Sequence, residues 1–220
     1  MPIIATIMQP LLDLIDSGGP VFIILLLTSS LTLTLVCYKV LQYSNAQVGK
    51  LAPLKTALAA LDLGERQEAA HIFDQSKHFL APVYRLGLSL PHEESVTERL
   101  EAEAEVAFMP LEKGFRALDT VAQLAPLLGL LGTVLGMIEA FQQLQSAGPQ
   151  VDPSALAGGI WVALLTTAAG LIVAMPTSVA LTWFEARIDE ERLFASHVFA
   201  VLNTPAAKNT VPAADEREAA

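Results

Sequence analysis

The residues of this 220-residue chain that could do chemistry lie in two stretches that are almost free of charge. The first stretch carries three glycines at spacings of three and four residues: Gly129, Gly132 and Gly136. The second repeats small residues in a similar way: Gly159, Ala163, Thr167, Gly170, Ala174 and Ser178. Small residues at this spacing share a helix face and let helix backbones approach closely in lipid. Such helices, with threonines facing inward, suit a tight and weakly polar pore, although plain helix packing explains the same spacing.

One carboxylate, that of Glu139, lies at the end of the first stretch. An ionisable side chain within a membrane span is a functional candidate by default. Glu139 follows Thr133 by six positions, which places it about 9 Å further along a helix and about 240° around it. Because half of the hydrocarbon thickness is about 15 Å, this position is near the boundary of the membrane. Glu139 could relay protons, or it could serve an interfacial or inter-subunit contact.

The other reactive side chains do not predict an enzyme site. His71 and His78 are seven residues apart without a carboxylate or cysteine partner, a pattern more typical of surface residues than of a metal site. Cys37 is the only cysteine, which excludes a cysteine-rich site. The sequence has neither a G-x-x-x-x-G-K-[ST] phosphate loop nor a strand–turn–helix setting for a nucleophilic serine. We therefore expect no catalytic residue, no metal and no cofactor.

Charge is scarce along the chain. Charged residues make up 16% of it and hydrophobic residues 53%, whereas a soluble domain averages about 25% charged residues. Three windows contain no charged residue: 17–38, 120–138 and 153–184. Each window supplies the roughly 20 apolar residues that cross a bilayer as a helix, and a buried soluble core explains three such windows less well. The net charge of −10 argues against nucleic acid as a partner.

These windows predict an all-α integral membrane protein with three transmembrane helices, whose long helices extend into a cytoplasmic helical domain. The predicted spans are 20–41, 119–142 and 156–184. All 13 lysines and arginines lie in two segments, 39–116 and 187–217. Because basic segments stay in the cytoplasm, we expect the N-terminus on the opposite side of the membrane, a cytoplasmic C-terminus and an uncleaved first span.

The segments around the spans complete the expected organisation. On the side opposite the cytoplasm they are an interfacial helix at 1–19 and a loop at 143–155. On the cytoplasmic side they are a helical domain at 42–118, an amphipathic helix at 185–202 and a disordered tail at 203–220. The Ser-Gly-Gly-Pro sequence at 17–20 is expected to end the first segment. A frayed terminus is the alternative interpretation of that segment. A helix over 100–118 is expected to run into the second span, with Pro110 as a candidate kink. Asp152 is expected to cap the third span.

Two sequence motifs resemble those of the ExbB/TolQ/MotA proton-channel family. Residues 125–141, APLLGLLGTVLGMIEAF, resemble the family signature of the second span. Residues 159–176, GIWVALLTTAAGLIVAMP, fit the pattern G-I-x-x-A-L-x-x-T-x-x-G-L-x-x-A-x-P. The three-span layout with a large cytoplasmic loop is similar to the ExbB and TolQ branch, whereas the MotA branch has four spans.

The resemblance implies a proton-channel subunit of an inner-membrane motor in bacteria. It implies a homo-pentamer around the helices of an ExbD- or TolR-like single-span partner, which supplies a protonatable aspartate. The pore threonines of the family match Thr133 and Thr167, with Thr166 adjacent. The proton motive force would then drive outer-membrane transport through a TonB-like protein, or envelope maintenance through a TolA-like protein in a TolQ-type system.

One position departs from the family pattern. The family often carries a glutamate two residues after the position of Ile160, and this chain has Val162 there. A non-conducting membrane scaffold of the same fold therefore remains an alternative to a proton channel. A solute transporter fits less well, because the three spans show neither an internal repeat nor a pair of broken helices.

Overall fold

The computed structural model describes residues 2–91, 94–146 and 153–203 of the chain. Within these ranges the chain is helical and contains no strand. The helices are α1 (Pro2–Ala46), α2 (Ala52–Asp62), α3 (Arg66–Gln75), α4 (Ala81–Ser89), α5 (Glu94–Glu112), α6 (Phe115–Ser146) and α7 (Pro153–Asn203). The expected all-α class is confirmed. The proposed cap Asp152 and the tail beyond residue 203 lie outside the described residues.

Three of these helices contain segments long and apolar enough to cross a membrane, as the charge-free windows predict. The segments are Gly19–Ala46, Phe115–Ser146 and Leu156–Asn203. Their large apolar side chains face outward: Leu31 and Val179, for example, are about 70% exposed. Such a surface would be unfavourable in water but matches a hydrocarbon environment.

Two tryptophans mark the ends of the apolar part of α7. The side chains of Trp161 and Trp183 are both exposed, and the two residues, 22 positions apart in the sequence, are separated by about 33 Å of helix. This length is close to the roughly 30 Å thickness of a bilayer core. Tryptophan favours the membrane–water interface. The spacing of Trp161 and Trp183 therefore suits a position of one residue at each interface.

Glycine conformations interrupt the helical path at two places. Gly19 has φ +65°, so α1 consists of two helical segments that meet at this residue, within the Ser-Gly-Gly-Pro break. Gly114 has φ +103° and separates α5 from α6. The expectation of an unbroken helix from residue 100 into the second span was therefore wrong. A left-handed glycine ends a helix at little steric cost, whereas Pro110, the candidate kink, stays inside α5.

The chain divides into two compact units. The first comprises Met1–Leu41 and Glu112–Glu185, and the second comprises Gln42–Leu111 and Ala186–Ala220. In the first unit, a core beside α1 is formed by Val21, Leu25, Ala125, Val173 and Ala174. In the second, Tyr84 is buried and its ring lies 5.3 Å from that of Phe73 and 5.9 Å from that of Phe199. Aromatic packing therefore joins α3, α4 and α7 within this unit.

A buried polar cluster joins distant segments of the chain within the second unit. Glu191 of α7 is fully buried and accepts a hydrogen bond from the Gly49 backbone N–H at 2.6 Å. The Nε2 atom of His78 lies 3.3 and 3.2 Å from the two oxygens of this carboxylate, and His78 Nδ1 accepts the Leu80 N–H at 3.3 Å. This pattern assigns the ring proton to Nε2. The expectation that His78 is a surface residue without a carboxylate partner was wrong, because its partner is 113 residues away in sequence.

Candidate functional site

The glycines of α6 face the small residues of α7 at very short range. A Cβ atom placed on Gly129 would lie 2.9 Å from the Thr166 carbonyl oxygen and 3.0 Å from the Thr167 Cα. A Cβ on Gly170 would lie 2.5 Å from the Ala125 carbonyl oxygen. Cβ atoms do not approach backbone oxygens so closely, so only glycine permits this separation of the two helices.

The same close approach continues toward the Ser146 end of α6. A Cβ on Gly136 would lie 3.2 Å from the Ala163 Cβ, and a Cβ on Gly159 would lie 2.5 Å from the Ala140 Cβ. The glycine stripe of α6 and the small-residue stripe of α7 are thus brought together along much of their length. Ala174 instead contributes to the core beside α1.

The three candidate threonines occupy different settings. Thr166 is buried, and its Oγ1 donates to the Ala163 carbonyl at 2.7 Å. Thr166 Oγ1 would also lie 2.5 Å from a Cβ on Gly132, so this glycine makes room for it. Thr167 Oγ1 donates across the helix pair to the Gly129 carbonyl at 3.1 Å. Thr133 Oγ1 donates within α6 to the Leu130 carbonyl at 2.6 Å.

Thr133 and Glu139 line different grooves. The Thr133 groove is formed by α6 residues: Thr133, Val134, Met137, Ile138, Phe141, Gln142 and Gln145. The Glu139 groove is formed by Gly136, Glu139, Ala140 and Gln143 of α6 and by Gly158, Gly159 and Val162 of α7. The two side chains therefore point to different faces, as their angular offset along a helix predicts.

These groups limit the chemistry that the helix pair can perform. A threonine hydroxyl both donates and accepts hydrogen bonds, so it can hold water or a proton donor, but it carries no charge near neutral pH. Among the residues that line the Thr133 groove and the Glu139 groove, Glu139 is the one with an ionisable side chain. The described residues hold no group of three or more His, Cys, Asp or Glu side chains that could bind a metal ion.

Comparison with known proteins places the chain within a family. The profile of the MotA/TolQ/ExbB proton channel family matches residues 75–195, which include the whole of the α6–α7 contact described above. That family is a proton-channel family and not an enzyme family.

Several relatives are named for biopolymer transport. The chain is 35% identical to the ExbB-like 1 protein of Synechocystis sp., over 79% of this chain and 70% of that protein. It is 34% identical to the biopolymer transport protein exbB1 of Vibrio cholerae, over 69% of each chain. It is 30% identical to the biopolymer transport protein ExbB of Neisseria gonorrhoeae, over 75% of this chain and 82% of that protein. The chain is therefore a membrane protein of the ExbB type and belongs to the MotA/TolQ/ExbB proton channel family.

Proposed function

We propose that this chain is the proton-channel subunit of an ExbB–ExbD-type motor in the bacterial inner membrane. The motor uses the proton motive force to energise outer-membrane transport through a TonB-like protein, and the chain itself is not an enzyme. The observation that carries the proposal is the tight α6–α7 pair, in which Thr167 donates across to the Gly129 carbonyl. Family membership and the names of the ExbB relatives support the same assignment.

The proton path is formed by the threonines of the helix pair together with a partner. Thr133, Thr166 and Thr167 supply hydroxyls to the wall, and an ExbD-like single-span protein supplies a membrane aspartate. Hydroxyls that already donate to carbonyls keep lone pairs that accept from water or from a protonated carboxyl. The chain assembles as a homo-pentamer, so that several copies of the α6–α7 pair surround the partner's helices.

The orientation follows from the distribution of basic residues. The N-terminus and the segment joining α6 to α7 lie on the periplasmic side, and the C-terminus and the second unit lie in the cytoplasm. The lysines and arginines are confined to 39–116 and 187–217, which supports this orientation by the positive-inside rule.

A non-conducting scaffold is the second candidate. Val162 faces the Glu139 groove with an apolar side chain, so α7 contributes no carboxylate at this position. A scaffold would keep the helix packing and the partner but would not pass protons. A TolQ-like role in envelope maintenance is the alternative within the conducting class.

Complementation distinguishes these functions. The chain is expressed with its single-span partner in a bacterium that lacks its own ExbB and TolQ proteins, and TonB-dependent uptake and detergent resistance are measured. We expect uptake to be restored and to be abolished by a protonophore. Restored detergent resistance without uptake would indicate the TolQ-like role, and assembly with the partner but neither phenotype would indicate the scaffold.

A further inference from the structure

The Glu139 groove differs in polarity from a second groove beside α7, which lies between α1 and α7. Its α6 wall carries a carboxylate and a carboxamide, those of Glu139 and Gln143. The groove between α1 and α7 is instead lined mostly by apolar side chains such as Phe22, Leu26 and Ile172. Polar groups inside a membrane span are costly unless water, a partner or a transported species reaches them.

The Glu139 groove lies beside close contacts between α6 and α7. Gly159 lies against Ala140, and Gly136 lies against Ala163. A Cβ placed on Gly158, the neighbour of Gly159, would meet nothing within 4 Å. The exposed side chain of Glu139 thus borders a tight helix contact and remains accessible among the described residues.

The charge environment also singles out Glu139. Between Asp119 and Glu185 the sequence contains two charged residues, Glu139 and Asp152. No lysine or arginine is found among the described residues that line the groove. An ion pair within the groove therefore does not neutralise this carboxylate, and binding of a proton is the chemical route by which it can lose its charge.

We propose that Glu139 is the proton-receiving carboxylate at the periplasmic mouth of the α6–α7 pair, an inference that rests on the proposed function. Its carboxylate accepts a proton from hydronium, which leaves as water, and the neutral acid then returns the proton to a water molecule deeper in the assembly. No other reactant is consumed. Glu139 lies six positions closer than Thr133 to the Ser146 end of α6 and lines a different groove, so Glu139 acts before the threonine wall and not within it.

The test measures proton flux in proteoliposomes that contain the chain and its single-span partner. Glu139→Gln keeps the size and hydrogen-bonding capacity of the side chain but removes its titration. We expect flux to fall by about tenfold or more, as for loss of a positioned proton-transfer group. Asp119→Asn at the opposite end of α6 is the matched control and is expected to conduct as the wild type does.

A second variant uses the two walls of the groove. Val162 of α7 lines the same groove as Glu139 of α6, so Val162→Glu combined with Glu139→Gln places one carboxylate back in the pocket. We expect this double variant to regain most of the lost flux. Wild-type flux in Glu139→Gln, together with reduced flux in Thr167→Val, would overturn the role of Glu139 while the proposed channel stands. Absence of flux in the wild type would overturn both.

A chemical measurement keeps the test independent of the folding of the variants. A hydrophobic carbodiimide reacts with protonated carboxyl groups that it reaches from the membrane. In the wild-type complex we expect mass spectrometry to find Glu139 labelled, with labelling that increases as the external pH falls. Labelling of other carboxylates but not of Glu139 at every pH would contradict the proposal.

Discussion

At the scale of single residues, Glu191 joins parts of the second unit that are far apart in sequence. Its carboxylate binds Gly49, 142 residues away, and His78, 113 residues away. Gly49 has φ +81°, a conformation that favours glycine and aims its N–H at the carboxylate. No short-range sequence pattern indicates contacts between residues that are more than 100 positions apart. For this reason the spacing of the histidines alone suggested that His78 is a surface residue.

Glu191→Ala is expected to destabilise the second unit by about 2–4 kcal/mol, because two buried N–H groups lose their acceptor. The change is measured by thermal unfolding in lipid nanodiscs and by hydrogen exchange at the Gly49 amide. Glu190→Ala is the control, since Glu190 is half exposed and pairs with Arg187 on the surface, where such a pair contributes about 0–1 kcal/mol. Equal effects of the two substitutions would contradict the assigned role of Glu191.

Tyr84 predicts a pH dependence of stability. Burial, followed by the negative charge of Glu191, raises the pKa of the Tyr84 phenol above its ordinary range. The folded state therefore favours the neutral phenol, and the stability that this provides is present below the unfolded pKa of about 10 and is lost at higher pH. Between pH 9 and 11 we expect the melting temperature of Tyr84→Phe to fall less than that of the wild type. The wild type should lose about 1 kcal/mol of unfolding free energy per pH unit above the unfolded pKa, and the variant should not.

Tyr84→Phe is also informative at neutral pH. The hydroxyl of Tyr84 has no hydrogen-bond partner among the described residues, so Tyr84→Phe should also retain or raise stability at neutral pH. A large loss of stability at pH 7 would contradict this account.

At the scale of elements, the α6–α7 pair depends on glycine at the points of closest approach. The charge-free windows predicted the spans, and the spacing of small residues predicted their shared helix faces, because each is a local property of the sequence. The break at Gly114 was missed, since a left-handed glycine inside an apparently continuous stripe looks the same in sequence as a helical one. Pro126 and Pro176 lie inside α6 and α7 without ending them, as is tolerated in spans.

Gly170→Ala is expected to weaken the pair by about 1–3 kcal/mol, because the added methyl meets the Ala125 carbonyl and the helices must separate. Gly158→Ala adds the same methyl where nothing lies within 4 Å. That control should be neutral or stabilising by about 1 kcal/mol through helix propensity. Thermal unfolding in lipid nanodiscs compares the two variants, and a Gly170→Ala protein as stable as Gly158→Ala would contradict the packing described.

At the scale of the whole molecule, the scarcity of charge and the segregation of the basic residues predicted three spans and an orientation. The structure contains the three apolar helices. The proposed orientation rests on the distribution of the basic residues. The division into two compact units was only partly visible in the sequence, since the second unit combines the segment after α1 with the last part of α7.

Cysteine accessibility tests the orientation. In a Cys37→Ser background, Ser146→Cys at the end of α6 should react with a membrane-impermeant maleimide added to spheroplasts. Glu68→Cys, on the exposed face of α3 in the second unit, should react only after the membrane is permeabilised. The opposite labelling pattern would invert the proposed topology.

The central claim is that the threonines of the α6–α7 pair form the wall of a proton path. The most direct measurement is proton flux in proteoliposomes that contain this chain and its single-span partner. Thr167→Val and Thr133→Val should each lower flux by about three- to tenfold, since each removes a hydrogen-bonding group worth about 0.5–1.5 kcal/mol. Thr28→Val should not, because Thr28 donates to the Ile24 carbonyl on the exposed side of α1. Flux that is the same in the wild type and in all three variants would contradict the account.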